Sequence, residues 1–424
     1  MTHKIPAIVM VGPSWSVCTA LGVVRSLGRA GIPVVCLLEK AQHPVASSRY
    51  VRSVHICPEP TEDALTAALL SVAQQQNQPP PVFPTSDRHC LLLAKHQEEI
   101  DRSVLWHRVS LATVEWFTDK ALSHELAQRI GIRVPVTISV STQEGVSAAL
   151  AEVPRPWLIK PLGHYVLREG GVVAGHLSSV LGGKALLSDS AEEVERVVSQ
   201  AKEQGKAVCI QEYVPGGDDR VYEVHTYIRH GGAAAVFVGR KIRQHPRLFG
   251  SACYAVSVPD WRGDAELVQA VQWSLSFARE ARFSGICHFE WKRHEGTGLA
   301  YFIEANPRVS QWGILATRSG TNLPLWAYMD LLGEMPQGSL GDGLVDYFFR
   351  DELRDWRSYR DSGEGGSLWW LRYLRQLGRP LEGAFLVADD PLPGVNALAR
   401  DVTDVVRRTL SRVRLQRSDA RLRQ

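Results

Sequence analysis

The chain has 424 residues, 45% of them hydrophobic, which is enough apolar material for two to four domains with cores of their own. Its net charge of +3 is the small remainder of 48 basic and 45 acidic residues distributed throughout, so nothing in the charge calls for a nucleic-acid partner. Seven cysteines without a C-x-x-C pair argue against a zinc or disulfide framework and fit buried free thiols in a reducing cytoplasm, the compartment expected here.

Residues 7–11 form an apolar run too short for a signal peptide or a membrane span, broken by Gly12-Pro13-Ser14-Trp15-Ser16. Helical periodicity over 18–29, a Gly31-Ile32-Pro33 break and a second apolar run at 34–38 complete a β-α-β unit. Thr61 caps a predicted helix over 61–75 with Glu62 and Asp63 in its first turn, and Thr85-Ser86-Asp87 opens another after the strand at 81–84. Residues 1–112 therefore read as a doubly wound α/β domain, with its binding crevice at the carboxyl ends of the strands. Ser16, Ser86 and Asp87 lie in the crevice loops and are candidate substrate contacts, although Ser86 or Asp87 reads equally well as a helix cap. A dinucleotide-dependent oxidoreductase, with Glu39 on a ribose, is disfavoured because Gly12 is followed by no glycine before Gly22.

Residues 113–215 begin with helix-like sequence around Asp119-Lys120 and continue through strands at 157–160 and 208–214, with a helix at 190–203 between them. Lys160 ends an apolar strand beside a loop, and Gly163, Gly170, Gly171, Gly182, Gly183 and Lys184 offer backbone able to close over phosphates. Gln211-Glu212-Tyr213-Val214 ends a strand before Pro215-Gly216-Gly217; such a strand suits an adenine edge, with Asp218 or Asp219 beyond the turn for a ribose.

Residues 216–335 carry the strongest signal. Residues 236–247 gather Arg240, Lys241, Arg243 and Arg247 at a strand end, and alternation assigns Lys241 and Arg243 to one face. These cations either protect a sheet edge or, as we favour for at least one of Arg240, Lys241 and Arg243, touch substrate. Strands at 283–292 and 299–307 flank a turn at 294–298, and Glu290 and Glu304 are equidistant from Thr297. Two carboxylates opposite one another repel unless a cation lies between them, and a hard divalent ion with oxygen ligands bridging to phosphate resolves the conflict, with Asn306 on the same face as Glu304. Arg308 follows at once. Residues 336–424 form a C-terminal extension; its segment 367–375 reads as amphipathic and basic and is expected to pack on the main body with its arginines in water, a membrane-surface placement being the alternative. The basic end, 407–424, has no assignable partner.

In order, Asp119-Lys120, Ile159-Lys160-Pro161, Gln211-Glu212-Tyr213-Val214-Pro215-Gly216, Glu290 and Glu304-Ala305-Asn306-Pro307-Arg308 resemble the ATP-grasp superfamily of carboxylate–amine ligases. The stretches 239–246 and 249–251 resemble its uncharacterised carboligase branch, which includes D-aspartate ligase. The resemblance implies an ATP-grasp fold with a nucleotide-binding lobe at 113–215, a metal and substrate lobe at 216–335, the α/β domain before them and the extension after. It implies ATP and Mg2+, with Lys120 and Lys160 on phosphates, Glu212 and the Val214 backbone on adenine beside Gln211, Tyr213 and Asp219, and Glu290, Glu304 and Asn306 on magnesium. Arg308, with Lys241 and Arg243, would serve the substrate carboxylate or its acyl phosphate. The implied partners are a small carboxylate and an amine, with a homodimer the commonest assembly for a soluble enzyme of this size. The run after Lys160, Pro161-Leu162-Gly163-His164-Tyr165, departs from the compact small-residue loop of that superfamily. A nucleotide-binding scaffold without turnover, and a carboxylase or carbamoyl-phosphate type of enzyme, are the alternatives.

Overall fold

The computed structural model describes residues 4–12, 16–57, 59, 61–140, 142–161, 165–168, 171–174, 185–204, 206–229, 231–334, 345–363, 366–375 and 380–400. Strands β1 (Ala7–Val11), β2 (Val34–Leu38), β3 (Val51–Ile56) and β4 (Val82–Pro84) form a parallel sheet in the order β3-β2-β1-β4. The apolar runs of β1 and β2 are continuous because helices cover both faces. Ile8, Met10, Val35 and Leu37 share a core with Leu65, Leu69, Leu91 and Leu92. The alternate residues Ala7, Val9, Val34 and Cys36 share another with Val17, Leu21, Val24 and Leu27 of the helix Val17–Arg29.

Strands β5 (Thr137–Val140) and β6 (Trp157–Pro161) belong to a second, antiparallel sheet; β7 (Tyr165–Arg168) and β8 (Gly171–Ala174) pair with each other; β9 (Leu186–Ser188) and β10 (Val208–Glu212) complete the second sheet in the order β5-β10-β6-β9. Trp157, Ile159, Val208 and Ile210 pack against Val146, Ala149, Val194, Val197 and Ala201 of the helices Gln143–Glu152 and Ala191–Glu203. Period-two alternation then leaves Leu158, Lys160 and Gln211 for the opposite face. Gly163, Gly170, Gly182, Gly183 and Lys184, which sequence reading offered for a phosphate loop, lie outside the described residues.

Strands β11 (Val221–Arg229), β12 (Gly232–His245), β13 (Ser251–Ser257), β14 (Gly285–Arg293) and β15 (Ala300–Asn306) are joined by β16 (Phe348–Arg350) and β17 (Leu381–Gly383) in a seven-stranded sheet, order β15-β14-β11-β12-β13-β16-β17. Phe277 and Val271 of the helix Ala265–Glu280 pack with Val224, Phe289, Trp291 and Phe302 on one face. Glu223 and Glu290 alternate with these residues and so belong to the other face, and a register slip between the pairs Trp291–Phe302 and Glu290–Glu304 turns Glu304 to that face as well.

The C-terminal extension is built into the main sheet through β16 and β17 and is bolted to the first domain. Buried Arg25 donates to Asp390 and to the carbonyls of Gly383, Ala384, Phe385 and Asp390. The amphipathic segment departs from expectation: Tyr373 packs near Tyr359, but Leu368, Trp370, Leu371 and Leu374 are exposed. All seven cysteines are buried free thiols, and no helix among the described residues is long and apolar enough to cross a membrane.

Candidate active site

A cavity of about 490 Å³ lies between the free faces of the second and third sheets. The strand register places Glu223 on β11 opposite Glu290 on β14, and Glu290 opposite Glu304 on β15. Three carboxylates thus form a row across adjacent strands. Left alone they would repel, so each is met by cations or hydrogen-bond donors. The Lys241 ammonium lies 2.5 Å from Glu290 Oε2, and Lys120 lies 3.7 Å from Glu304 Oε2. Glu223 accepts from Ser310 Oγ (2.7 Å) and Trp312 Nε1 (2.9 Å), with His225 Nε2 3.0 Å away. Burial works against the Glu223 charge, but His288, His225 and Lys241 outweigh it and hold the carboxyl at about 2. Burial pushes His288 itself down to about 4, so at neutral pH Ser310, Trp312 and Lys241 sustain the Glu223 carboxylate in place of an imidazolium at 288.

Asn306 and Arg308 extend the row. Asn306 Nδ2 donates to Glu304 Oε1 (3.4 Å), and Asn306 Oδ1 accepts from Arg308 Nη2 (3.1 Å). Arg308 Nε donates to Asp87 Oδ1 at 2.6 Å, tying the hairpin β14–β15 to the first domain. Glu290, Glu304 and Asn306 offer oxygen donors suited to a hard divalent cation. Among the described residues no group of three or more His, Cys, Asp and Glu side chains is arranged to hold a metal ion. A cation here would therefore take further ligands from a bound molecule.

The opposite wall carries Lys160, Gln211, Glu212, Tyr213 and Val214, with Lys120 beside them. Asp119 caps the helix Lys120–Arg129, its Oδ1 accepting from the N–H groups of Ala121 and Leu122, which fixes Lys120 at the helix start. Lys160 Nζ donates to Gln211 Oε1 at 2.8 Å, and Gln211 Nε2 to Thr137 Oγ1 at 2.8 Å. Burial, and then the like charge of Lys120, lower Lys160 to about 8. The Glu212 carboxylate accepts the Val136 N–H (3.0 Å), which ties the strand end to the preceding segment.

Several sequence-based expectations are corrected. Arg243 does not line the cavity: it forms a buried two-pronged pair with Asp355 (2.7 and 3.0 Å) and lies over the rings of Tyr254 and Tyr359. The register of β12 slips between Lys241 and Arg243 and again at Gln244, which breaks the alternation that would have kept Arg243 beside Lys241. Arg240 is likewise absent from the cavity wall. Ser86 caps the helix Asp87–Lys95 through the His89 N–H, Ser16 is the buried N-cap residue of the helix Val17–Arg29, and neither lines the cavity. Asp219 is exposed and outside the wall, while Asp218 accepts from Gln244 N, Gln244 Nε2 and Leu248 N, fastening the 244–248 turn. Glu39 is bonded to Arg88 and His89.

Other wall residues had no such local signal. Lys292 donates to the carbonyls of Gly216 (2.6 Å) and Gly217 (2.9 Å), clamping the loop after β10. Glu223, Ser310 and Trp312 meet only because β11 pairs with β14, and Thr19, Gln311 and Arg354 come together from three separate parts of the chain.

No protein-family model matches the chain. Over 231 residues, 54% of its length, it is 27% identical to the N-terminal section of the carbamoyl phosphate synthase large chain of Methanopyrus kandleri, and it spans 37% of that relative. Its structure is similar to the L-amino acid ligase from Bacillus licheniformis (TM-score 0.56, 15% identity, covering 82% of this chain and 80% of the other). It is similar to the purK N5-carboxyaminoimidazole ribonucleotide synthetase in its ADP complex (0.58, 17%, 89% and 88%). It is also similar to the biotin carboxylase domain of the Hydrogenobacter thermophilus 2-oxoglutarate carboxylase, a dimer holding MgADP, ADP and bicarbonate (0.58, 14%, 79% and 71%). The architecture of this chain is that of the ATP-grasp fold.

Proposed function

We propose that this ATP-grasp chain is a Mg2+- and ATP-dependent ligase that activates a small carboxylate as an acyl phosphate and joins it to an amine, releasing ADP and phosphate. The observation that carries the reading is the carboxylate pair Glu290–Glu304, in register and met by Lys241 and Lys120 inside one cavity. An array of paired acids and buried ammonium groups suits a polyphosphate with its counter-ion, because charge on the transferring group is stabilised only by groups already oriented toward it. Glu290, Glu304 and Asn306 would hold magnesium, which when bound neutralises phosphate charge. Lys120 and Lys160 would bind phosphate oxygens, and Tyr213 and Val214 would border the base. Lys241 and Arg308 would receive the charge that moves onto the substrate.

In the reaction a substrate carboxylate oxygen bonds to the γ-phosphorus as the bond from that phosphorus to ADP breaks. The amine nitrogen then attacks the acyl carbon, phosphate leaves with the bonding electron pair, and the amine proton passes to it. The L-amino acid ligase likeness supports an amino-acid or peptide substrate. The carbamoyl phosphate synthase and carboxylase likenesses support a second reading in which bicarbonate is the oxygen nucleophile. A coupled ADP-release screen over L- and D-amino acids, dipeptides and bicarbonate separates them. Glu304→Gln is expected to lower ATP turnover at least ~100-fold, the order seen when transition-state charge loses its partner, with an unchanged circular dichroism spectrum. Full turnover in that variant would remove the metal assignment.

A further inference from the structure

One end of the cavity is closed by residues that the reaction above does not use. Arg354 reaches it from the helix Glu352–Asp361 of the C-terminal extension, Thr19 from the helix Val17–Arg29 of the first domain, and Gln311 from the segment after Arg308. Arg354 is held in place from behind. Its Nε donates to Asp351 Oδ2 at 2.6 Å, its backbone N–H lies 3.2 Å from Asp351 Oδ1, and Asp351 is fully buried as the N-cap of the same helix. The Arg354 side chain keeps 27% of its surface, which distinguishes it from the sealed Arg243 pair. Its Nη2 lies 4.0 Å from Cys18 Sγ, a thiol that burial and Asp351 push up to about 12 and so keep neutral.

The neighbouring groups are donors. Gln311 Nε2 has no oxygen or nitrogen acceptor among the described residues and its amide lies beside the Cys18 thiol, so turning it toward the cavity forfeits at most that weak contact with sulfur. Thr19 lines the same cavity, and burial together with the Arg354 charge keeps His245, also on the wall, below its ordinary range and hence neutral at pH 7. A planar guanidinium with one edge anchored and the other at a cavity, flanked by an amide and a hydroxyl, is matched to paired oxygens of a carboxylate or phosphate.

Resting on the ligase reading of the cavity, we infer that Arg354, with Gln311 and Thr19, is the acceptor-selecting end of the site and recognises a second anionic group, a carboxylate or a phosphate, on the molecule being joined. The extension would thereby contribute substrate specificity as well as structure.

The test is calorimetric titration of the intact protein, loaded with Mg·ADP, with aspartate against asparagine, glutamate against glutamine, and O-phosphoserine against serine, in D and L forms. At least one anionic probe is expected to bind tenfold or more tightly than its neutral counterpart. Arg354→Met should erase that preference and leave the ADP dissociation constant within twofold; Arg354→Lys should retain part of it. Gln311→Leu, which leaves the Arg354–Asp351 pair untouched, should weaken the anionic probe about threefold and serves if the arginine variant does not fold. The carboxylate and phosphate pairs identify which anion is read. Equal binding of anionic and neutral probes by the wild type, or a preference that survives Arg354→Met, overturns the inference. Selective binding without ADP release in any acceptor mixture leaves the anion site standing and counts against the ligase reading alone.

Discussion

At the scale of single residues, the cavity is a place where charge is stored at a cost that a ligand would relieve. Lys160 is the clearest case, since burial and the neighbouring Lys120 lower it to about 8. A polyanion between the two ammonium groups reverses both causes and raises the bound-state value. The free protein must then take up a proton to bind once the pH exceeds about 8. Nucleotide affinity is accordingly expected to fall as pH rises through 8, and titrations at pH 8.5 in buffers of different ionisation enthalpy should show net proton uptake. Lys160→Arg, whose charge does not titrate in this range, should flatten both dependences. An unchanged slope in that variant would assign the proton to another group.

At the scale of elements, the legible parts were those in which alternation and symmetry about a turn are local. Symmetry about Thr297 sets Glu290 opposite Glu304 and the pair does form, but through a register slip that lies between it and the turn: Trp291 meets Phe302, and that register carried on unbroken would set Glu290 against Ile303. Plain alternation failed on β12, where two slips take Arg243 out of the cavity wall and set it against Asp355. Nothing in 239–246 announces those slips, because a bulge is fixed by what the partner strand and the facing helix require. Here that helix is Glu352–Asp361, more than a hundred residues away, whose buried Asp355 needs a cation. Removing the arginine would strand the carboxylate without solvent, so Arg243→Met is expected to cost about 3–5 kcal/mol of stability, read as a lowered midpoint in denaturant. Nucleotide affinity measured on the folded fraction should change less than twofold; a large loss with normal stability would return Arg243 to the site.

At the scale of the whole molecule, the extension unites the other parts, and sequence patterns could not reveal that. Its strands lengthen the third sheet, Asp390 gathers Arg25, Ser48 Oγ and the Arg49 N–H from the first domain, and Arg354 closes the cavity. Each contact spans more than three hundred residues or depends on a register that no local period encodes. Glu352 gives this assembly a titratable joint. Its carboxylate oxygens accept the N–H groups of Phe385 and Leu386, both at 3.1 Å, directly after β17. Burial outweighs these bonds and raises the carboxyl from 4.5 to about 7. The folded protein therefore holds a proton between pH 4.5 and 7 that the unfolded chain releases, and the stability linked to it is complete below 4.5 and lost as pH climbs through 7. The shift corresponds to a few kcal/mol at most, on the order of 3. Denaturant melts across that window should show stability falling with rising pH, against the usual trend for paired carboxylates, and Glu352→Gln should remove that component. Because Arg354 lies on the same helix, loosening of this joint above pH 7 is expected to weaken acceptor binding before nucleotide binding, a difference that parallel titrations with Mg·ADP and with the anionic probes would resolve.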